Sequence, residues 1–179
     1  MTRIEGFPPL LGKAPRVLIL GSMPSVTSLD KQQYYGKAQN AFWKIMGELF
    51  SAAPELDYTE RCRRLTDAGI AVWDVLSACV RPGSLDSAID MQSAEVNDFR
   101  GLLTREAGIN HVFFNGRKSE QIFMRRVRVD IDQFRPGIIY ECLPSTSPAM
   151  ATLNFEQKLS AWKSVLWAAD NSGAGHIHA

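Results

Sequence analysis

Asparagine 40 stands at the entrance of an aromatic run. YYGKAQNAFWKIM, residues 34–46, places Asn40 after Tyr34 and Tyr35 and just before Phe42 and Trp43. An amide does not ionise near neutral pH, so Asn40 is no base; it can orient a water or a substrate by hydrogen bonding. It can equally cap a helix, and the aromatics can equally fill a core. Four other stretches carry residues that chemistry can use. GSMPS (21–25) offers Gly21, Ser22, Met23, Pro24 and Ser25. VWDVL ends an apolar run at Asp74, with RPGSLDS (81–87) behind it. FNG sets Asn115 before Gly116, and LPSTSPAM (143–150) supplies Ser145, Thr146 and Ser147 ahead of Pro148, Ala149 and Met150. Taken singly, each has a plain structural reading: a Gly/Pro turn, a cap, an Asn-Gly turn, a hydroxyl loop that satisfies its own backbone. Chemistry requires that they meet in space.

The elements between them supply a way to meet. RVLIL (16–20) is a continuous apolar run closed by Gly21 and reads as a buried strand. GIAVWDVL (69–76), HVFFNG (111–116) and GIIYECL (137–143) read the same way. Phe42, Ile45, Met46 and Leu49 recur at helical spacing and predict a helix over 41–50. Further helices are expected over 59–68, over 93–107 on Val96, Phe99, Leu102 and Leu103, and around Ile122, Phe123 and Val127. A last one starts from Asn154 as cap and carries Phe155, Leu159, Trp162 and Leu166. Strands alternating with helices imply right-handed crossovers and an α/β fold, with a four-stranded parallel sheet covered on both faces. In such a sheet all carboxyl ends share one edge, where ligands bind. The polar stretches at 21–25, at Asp74 and 81–87, at Asn115-Gly116 and at 143–150 each follow a strand, so they converge on that edge with Asn40. Residues 1–170 are expected to form one domain. The tail 171–179, with His176 and His178, is expected to be disordered rather than metal-binding.

Composition narrows the classes. The chain has 179 residues, 45% hydrophobic and 22% charged, which is ordinary globular composition. Lys+Arg 20 against Asp+Glu 19 leaves a net charge of +1, so any nucleic-acid contact must use a local patch. The densest basic stretch is Arg117, Lys118, Arg125, Arg126 and Arg128. Cys62, Cys79 and Cys142 are dispersed, which argues against a disulfide framework and against a cysteine-rich metal site, and fits a reducing cytoplasm. No signal pattern or membrane-length apolar run is present. There is no phosphate loop, no G-x-G-x-x-G and no G-x-S-x-G. His111 is the one histidine outside the tail and opens a strand, far from the carboxyl edge, so a histidine triad or a metal site is not expected.

Together GSMPS-x-x-SL-x-x-QQYY-x-x-x-x-NAFW, WDVL with RPGSLDSAI, FNG and LPSTSPA resemble the uracil-DNA glycosylase superfamily, most nearly its hypoxanthine (deoxyinosine) branch. They are also similar to the mismatch-specific thymine/uracil glycosylases. The resemblance runs from about Arg16 to the last helix. It implies a three-layer α/β/α sandwich and hydrolysis of the N-glycosidic bond of a deaminated base, most nearly hypoxanthine. Base flipping and water attack would accomplish this, without metal or cofactor, on DNA containing the damaged base. Uracil or thymine in a mismatch is the alternative substrate, and a non-catalytic nucleic-acid-binding relative the alternative class. A monomer is expected.

Two departures direct attention to Asn40. Many relatives carry a catalytic Asp or Asn at the third position of the first motif, where this chain has Met23. Many open the last motif with His, where this chain has Leu143. In the hypoxanthine branch the functional Asn lies in the N-A-F-W segment, which maps onto Asn40 as the catalytic residue. The resemblance puts Gly21, Ser22, Met23, Pro24, Tyr35, Phe42, Asp74 and Asn115 around the base. Phe42 would stack on it, and Asp74 stands where uracil-specific relatives have a base-reading Asn. Ser25, Arg117, Lys118, Ser145, Thr146 and Ser147 would hold DNA phosphates. Pro148, Ala149 and Met150 would wedge into the vacated stack. With no Lys in these motifs to form a Schiff base, a monofunctional glycosylase is expected.

Overall fold

A computed structural model describes residues 2–171 of the chain. His176 and His178 lie outside the described residues, and Asn171 is the last residue of the final helix rather than the start of a tail. In chain order the elements are β1 (Arg3–Glu5), β2 (Val17–Gly21), α1 (Val26–Lys31), α2 (Phe42–Phe50), α3 (Tyr58–Asp67), β3 (Ile70–Asp74) and β4 (Leu76–Val80). There follow β5 (Asp90–Val96), α4 (Phe99–Arg105), β6 (His111–Asn115), α5 (Arg117–Arg126), α6 (Arg128–Phe134), β7 (Ile139–Leu143) and α7 (Phe155–Asn171).

The four expected strands form one sheet in the order β3-β2-β6-β7, and every pairing is parallel. Every residue of β2 and of β3 is buried. A parallel sheet covered by helices on both faces leaves its strands no solvent side, which is why VLIL of central β2 and IAVW of edge strand β3 are continuous rather than alternating. Each fully buried Val, Leu or Ile stabilises the fold by about 1.5–3 kcal/mol, so this short block anchors the core. Helices α2, α3 and α7 pack on one face and α4, α5 and α6 on the other. Phe42 of α2 meets Trp162 of α7 edge-on at 6.1 Å, while Phe123 of α5 meets Phe114 of β6 at 5.2 Å and Tyr140 of β7 at 5.5 Å. The three-layer α/β/α sandwich is therefore present. Asn154 starts α7 as expected: it accepts from the Gln157 N–H, and Gln157 Oε1 accepts from the Asn154 N–H, both at 2.9 Å.

Elsewhere the elements differ from the sequence reading. The run 69–76 is not one strand. It ends at Asp74; the Val75 N–H donates to Gly21 O at 2.8 Å, and Leu76 opens β4. β4 joins β1 and β5 in a separate antiparallel sheet, order β1-β4-β5. The stretch 93–107 is strand then helix. Val96 closes β5, and α4 starts after Asp98, whose carboxylate accepts from the Gly101 N–H at 2.9 Å. The helix over 122–127 breaks at Val127, φ −124°, into α5 and α6.

Candidate active site

The carboxyl ends of the four parallel strands open onto a cavity of about 460 Å³. The strand register sets Gly21 beside Asp74 and Asn115 beside Leu143. Residues of all five polar stretches line this cavity, so the convergence expected from the parallel sheet is present. Gly21 is required here on steric grounds: a Cβ would collide with the Asp74 carboxyl and stand 3.1 Å from Tyr35 Oη.

The GSMPS loop is held from the 81–87 stretch. Arg81 is 4% exposed, and its guanidinium donates to Pro24 O at 2.5 Å, Met23 O at 3.5 Å and Gly83 O at 2.9 Å. Ser22 Oγ donates to Asp86 Oδ1 at 2.5 Å, and the Val26 N–H to Ser84 Oγ at 2.9 Å. Arg81 and Asp86 are functional neighbours that the sequence reading left unassigned within RPGSLDS; their only signal was that the stretch trails Asp74. Met23 lines the cavity as a buried apolar wall. Ser25 lines it too, but its oxygen caps α1 by accepting from the Ser28 N–H at 3.1 Å.

Asn40 stands at the entrance of α2 and on the cavity wall. Its Oδ1 accepts from the Phe42 N–H at 2.9 Å, an Asx turn leading into α2; the cap position itself is Ala41, so Asn40 is not the helix cap that its sequence position suggested. Its NH₂ makes no hydrogen bond among the described residues, and the side chain lines the cavity. The next residue ties this entrance to the last loop, the Ala41 N–H donating to Thr146 O at 2.9 Å.

Phe42 requires a correction. It is fully buried, does not line the cavity, and has Tyr35 stacked on its ring at 3.9 Å with 22° between planes. No base can reach that face; the aromatics that line the cavity are Tyr34 and Tyr35, the latter with Phe42 as its backing.

Asp74 is 4% exposed, and its Oδ2 has no hydrogen-bond partner. Burial pushes its carboxyl up to about 7, the charge of Asp86 adds to this, and Arg81 opposes it. Tyr35 Oη is likewise buried and unpartnered. Burial and the Asp74 charge raise its phenol, and the Asn115 amide opposes them.

Two further assignments change. Asn115 lines the cavity, but its amide is spent on the neighbouring loop: Oδ1 accepts from the Thr146 N–H, and Nδ2 donates to Thr146 Oγ1, both at 2.9 Å. Thr146 is 1% exposed with its N–H, carbonyl and hydroxyl all engaged, so it cannot reach a phosphate. This pair holds the loop rather than a ligand. Gly116 admits the loop: its φ is +94°, and a Cβ would meet the Ser145 side chain at 3.0 Å. Below the loop, buried Lys158 donates to Ser147 O at 3.2 Å. Ser145 and Ser147 hydroxyls accept from the Ser147 and Ala149 N–H groups and keep their own O–H to donate. Pro148 and Ala149 are exposed at the tip, with Met150 behind them.

Among the basic residues, Arg126 is committed to Ala94 O and Met91 O, and Arg128 to Asp132. Arg117 and Lys118 form no ion pair among the described residues and lie outside the cavity, at the start of α5. Lys37, unassigned from sequence, stands exposed on the cavity rim, where a cation can meet a phosphate.

Comparison with known proteins agrees with this geometry. A family model described as the uracil DNA glycosylase superfamily matches residues 8–169. The chain is 35% identical over 164 residues to a "Hypoxanthine DNA glycosylase" of Methanosarcina acetivorans, covering 90% of this chain and 96% of the relative. It is 36% identical over 116 residues to a protein of the same name from Methanosarcina barkeri, covering 64% and 72%. The solution NMR structure of a Methanosarcina acetivorans protein described as a candidate uracil DNA glycosylase superposes with a TM-score of 0.77 at 32% identity, covering 94% of this chain and 99% of that one.

Proposed function

The chain belongs to the uracil DNA glycosylase superfamily as a base-excision DNA glycosylase, and we propose that the base it releases is hypoxanthine. Extruding a nucleotide from the duplex costs a few kcal/mol, least where the pair is mismatched or damaged. The exposed tip Pro148–Ala149, with Met150, fills the gap left behind, while the Ser145 and Ser147 hydroxyls, Lys37, Arg117 and Lys118 take the flanking phosphates. The base enters the cavity edge-first toward Asp74, whose carboxylate accepts the ring N–H.

Bond cleavage leaves an oxocarbenium-like sugar, to which the DNA phosphates lend stabilisation. Such a centre needs a placed nucleophile more than a strong one. Asn40 places it: one lone pair of its Oδ1 is held by the Phe42 N–H, and the other lone pair and the NH₂ remain for the water. The attacking water gives its oxygen to the sugar, and its proton leaves to solvent or to the departing base. No side chain forms a covalent bond to the sugar. The protein works as a monomer in the cytoplasm, with residues 1–170 as one catalytic domain.

The observation that carries the substrate reading is the unpartnered Asp74 carboxyl facing the cavity, in a chain whose relatives bear the hypoxanthine name. Single-turnover assays on duplexes carrying hypoxanthine, uracil, xanthine or a G·T mismatch, with alkali to reveal abasic sites, test it. Hypoxanthine is expected to leave fastest; faster uracil or thymine release would transfer the protein to the mismatch-specific class. Binding of such duplexes with no release of any base would make it a non-catalytic relative. EDTA is expected to leave the rate unchanged, because the cysteines are dispersed and His111 opens β6 away from the cavity. Loss that is restored by one particular metal would contradict the hydrolysis as written.

A further inference from the structure

Tyr35 Oη and Asp74 Oδ2 are the two buried side-chain polar atoms without a hydrogen-bond partner among the described residues. They belong to different elements, yet both side chains line the one cavity and both approach the position a Gly21 Cβ would occupy. Burying a polar group and leaving it unmatched is costly, and such groups in native proteins call for an explanation. Tyr35 carries a second cost. Its φ is +53°, in the left-handed region that a bulky residue seldom adopts. The surroundings enforce it. The Tyr34 N–H donates to Tyr58 Oη, Tyr34 Oη to Pro8 O, Trp43 Nε1–H to Tyr34 O, and the Gly36 N–H to Ser28 Oγ, all within 2.8–2.9 Å. Phe42 supports the ring from behind. Strain held in place by a fixed scaffold, and aimed at a cavity, marks a functional position.

We propose that Tyr35 and Asp74 form a lactam-reading pair: Tyr35 Oη–H donates to the carbonyl oxygen of the extruded base, and Asp74 Oδ2 accepts the adjacent ring N–H. The proposal rests on the reading of the cavity as a base pocket. Deamination turns an amidine edge, ring nitrogen acceptor beside an amino donor, into a lactam edge, ring N–H donor beside a carbonyl acceptor. Hypoxanthine and uracil gain the second edge when adenine and cytosine, which carry the first, are deaminated; guanine, xanthine and thymine carry the second edge as well. The hydroxyl can rotate to suit either, but Asp74 once ionised can only accept, so the discrimination is strongest above about pH 7. An adenine N1 would set its lone pair against Asp74 and leave the pair unmatched again. Sites with buried polar groups that a wrong substrate leaves unpaired reject it by factors of order 10⁴. The pair therefore admits hypoxanthine and uracil and excludes adenine and cytosine, the undamaged parents from which they arise; it does not by itself distinguish guanine or thymine, which carry the same edge.

The test compares wild type and Tyr35→Phe on duplexes identical except for hypoxanthine or unsubstituted purine at the target; purine lacks both the carbonyl and the ring N–H. Tyr35→Phe keeps the ring against Phe42 and removes an unpaired hydroxyl, so its thermal midpoint should not fall. Hypoxanthine release should drop about 10–100-fold, as for a lost hydrogen bond to a buried partner. Purine release should be little changed, or undetectable in both proteins. Hypoxanthine release by the variant at the wild-type rate, an equal loss on both bases, or wild-type release of purine as fast as hypoxanthine would overturn the pair while leaving the glycosylase reading intact. Absence of hypoxanthine release from the wild type would overturn the substrate reading, and the pair with it.

Discussion

Replacing Asn40 with alanine is expected to lower hypoxanthine release about a hundredfold or more, the usual scale for one positioned hydrogen-bonding group at a reacting centre. The substitution does two things at once, because Asn40 Oδ1 also accepts from the Phe42 N–H in the Asx turn that leads into α2. Loss of one such hydrogen bond costs about 1 kcal/mol of stability. The two effects separate in Asn40→Ser. A serine hydroxyl can make the same turn, so thermal stability should largely return, but its short side chain cannot carry an amide to the water. Single-turnover rates beside thermal midpoints decide the matter. Stability restored with the rate still depressed assigns the loss to chemistry. A rate that follows stability, or an alanine variant that excises at the wild-type rate, leaves Asn40 as a turn residue alone. The outer motifs do not supply the usual alternative: Met23 and Leu143 occupy the positions where an ionisable or amide group would otherwise stand, and both are buried apolar side chains.

The sequence made the sheet legible because central parallel strands are buried on both faces and read as unbroken apolar runs. Their shared carboxyl edge then gathered Gly21, Asp74 and Asn115 without any knowledge of distances. The second sheet was hidden for the opposite reason. β5, DMQSAEV, is largely exposed and carries few apolar residues to set a period, and Val96 fell into phase with the helix behind it. Inside the site, the errors concern how side chains are shared. Asn115 and Thr146 are 31 positions apart and satisfy each other reciprocally, which no local spacing announces. Tyr35 and Phe42 exchange roles because the left-handed backbone at Tyr35 swings its ring over Phe42. Arg81 reads as a loop cation and is instead a buried brace across the Met23 and Pro24 carbonyls.

Asp74→Asn should move activity and stability in opposite directions. Burial, with Asp86 adding and Arg81 opposing, pushes the Asp74 carboxyl up to about 7; Tyr34 and Tyr35 face it as neutral phenols. An unfolded chain returns it to about 3.9. Between those values the folded protein holds a proton that the unfolded chain has released. The stability supplied by the neutral, buried carboxyl is fully present below about pH 4 and is lost as pH rises through 7. Above 7 the ionised group costs the fold up to about 4 kcal/mol, from roughly three pH units at 1.36 kcal/mol each. An amide of the same shape carries no such penalty. At pH 8 the Asn variant should therefore unfold at higher denaturant than wild type, and at pH 5 the gap should narrow. Excision follows the other sign. If the carboxylate accepts the ring N–H, wild-type hypoxanthine release should rise with pH through about 7, and the rise should vanish in Asp74→Asn. The variant's amide can both donate and accept, which relaxes the demand on the base edge, so discrimination against adenine should fall. A stability gap that does not change with pH would give Asp74 an ordinary carboxyl, and unchanged discrimination against adenine would take it out of the base pocket. The opposed signs are what a specificity group requires: an acceptor is useful to the incoming N–H only if nothing in the folded protein has already satisfied it, and that same vacancy is what destabilises the fold.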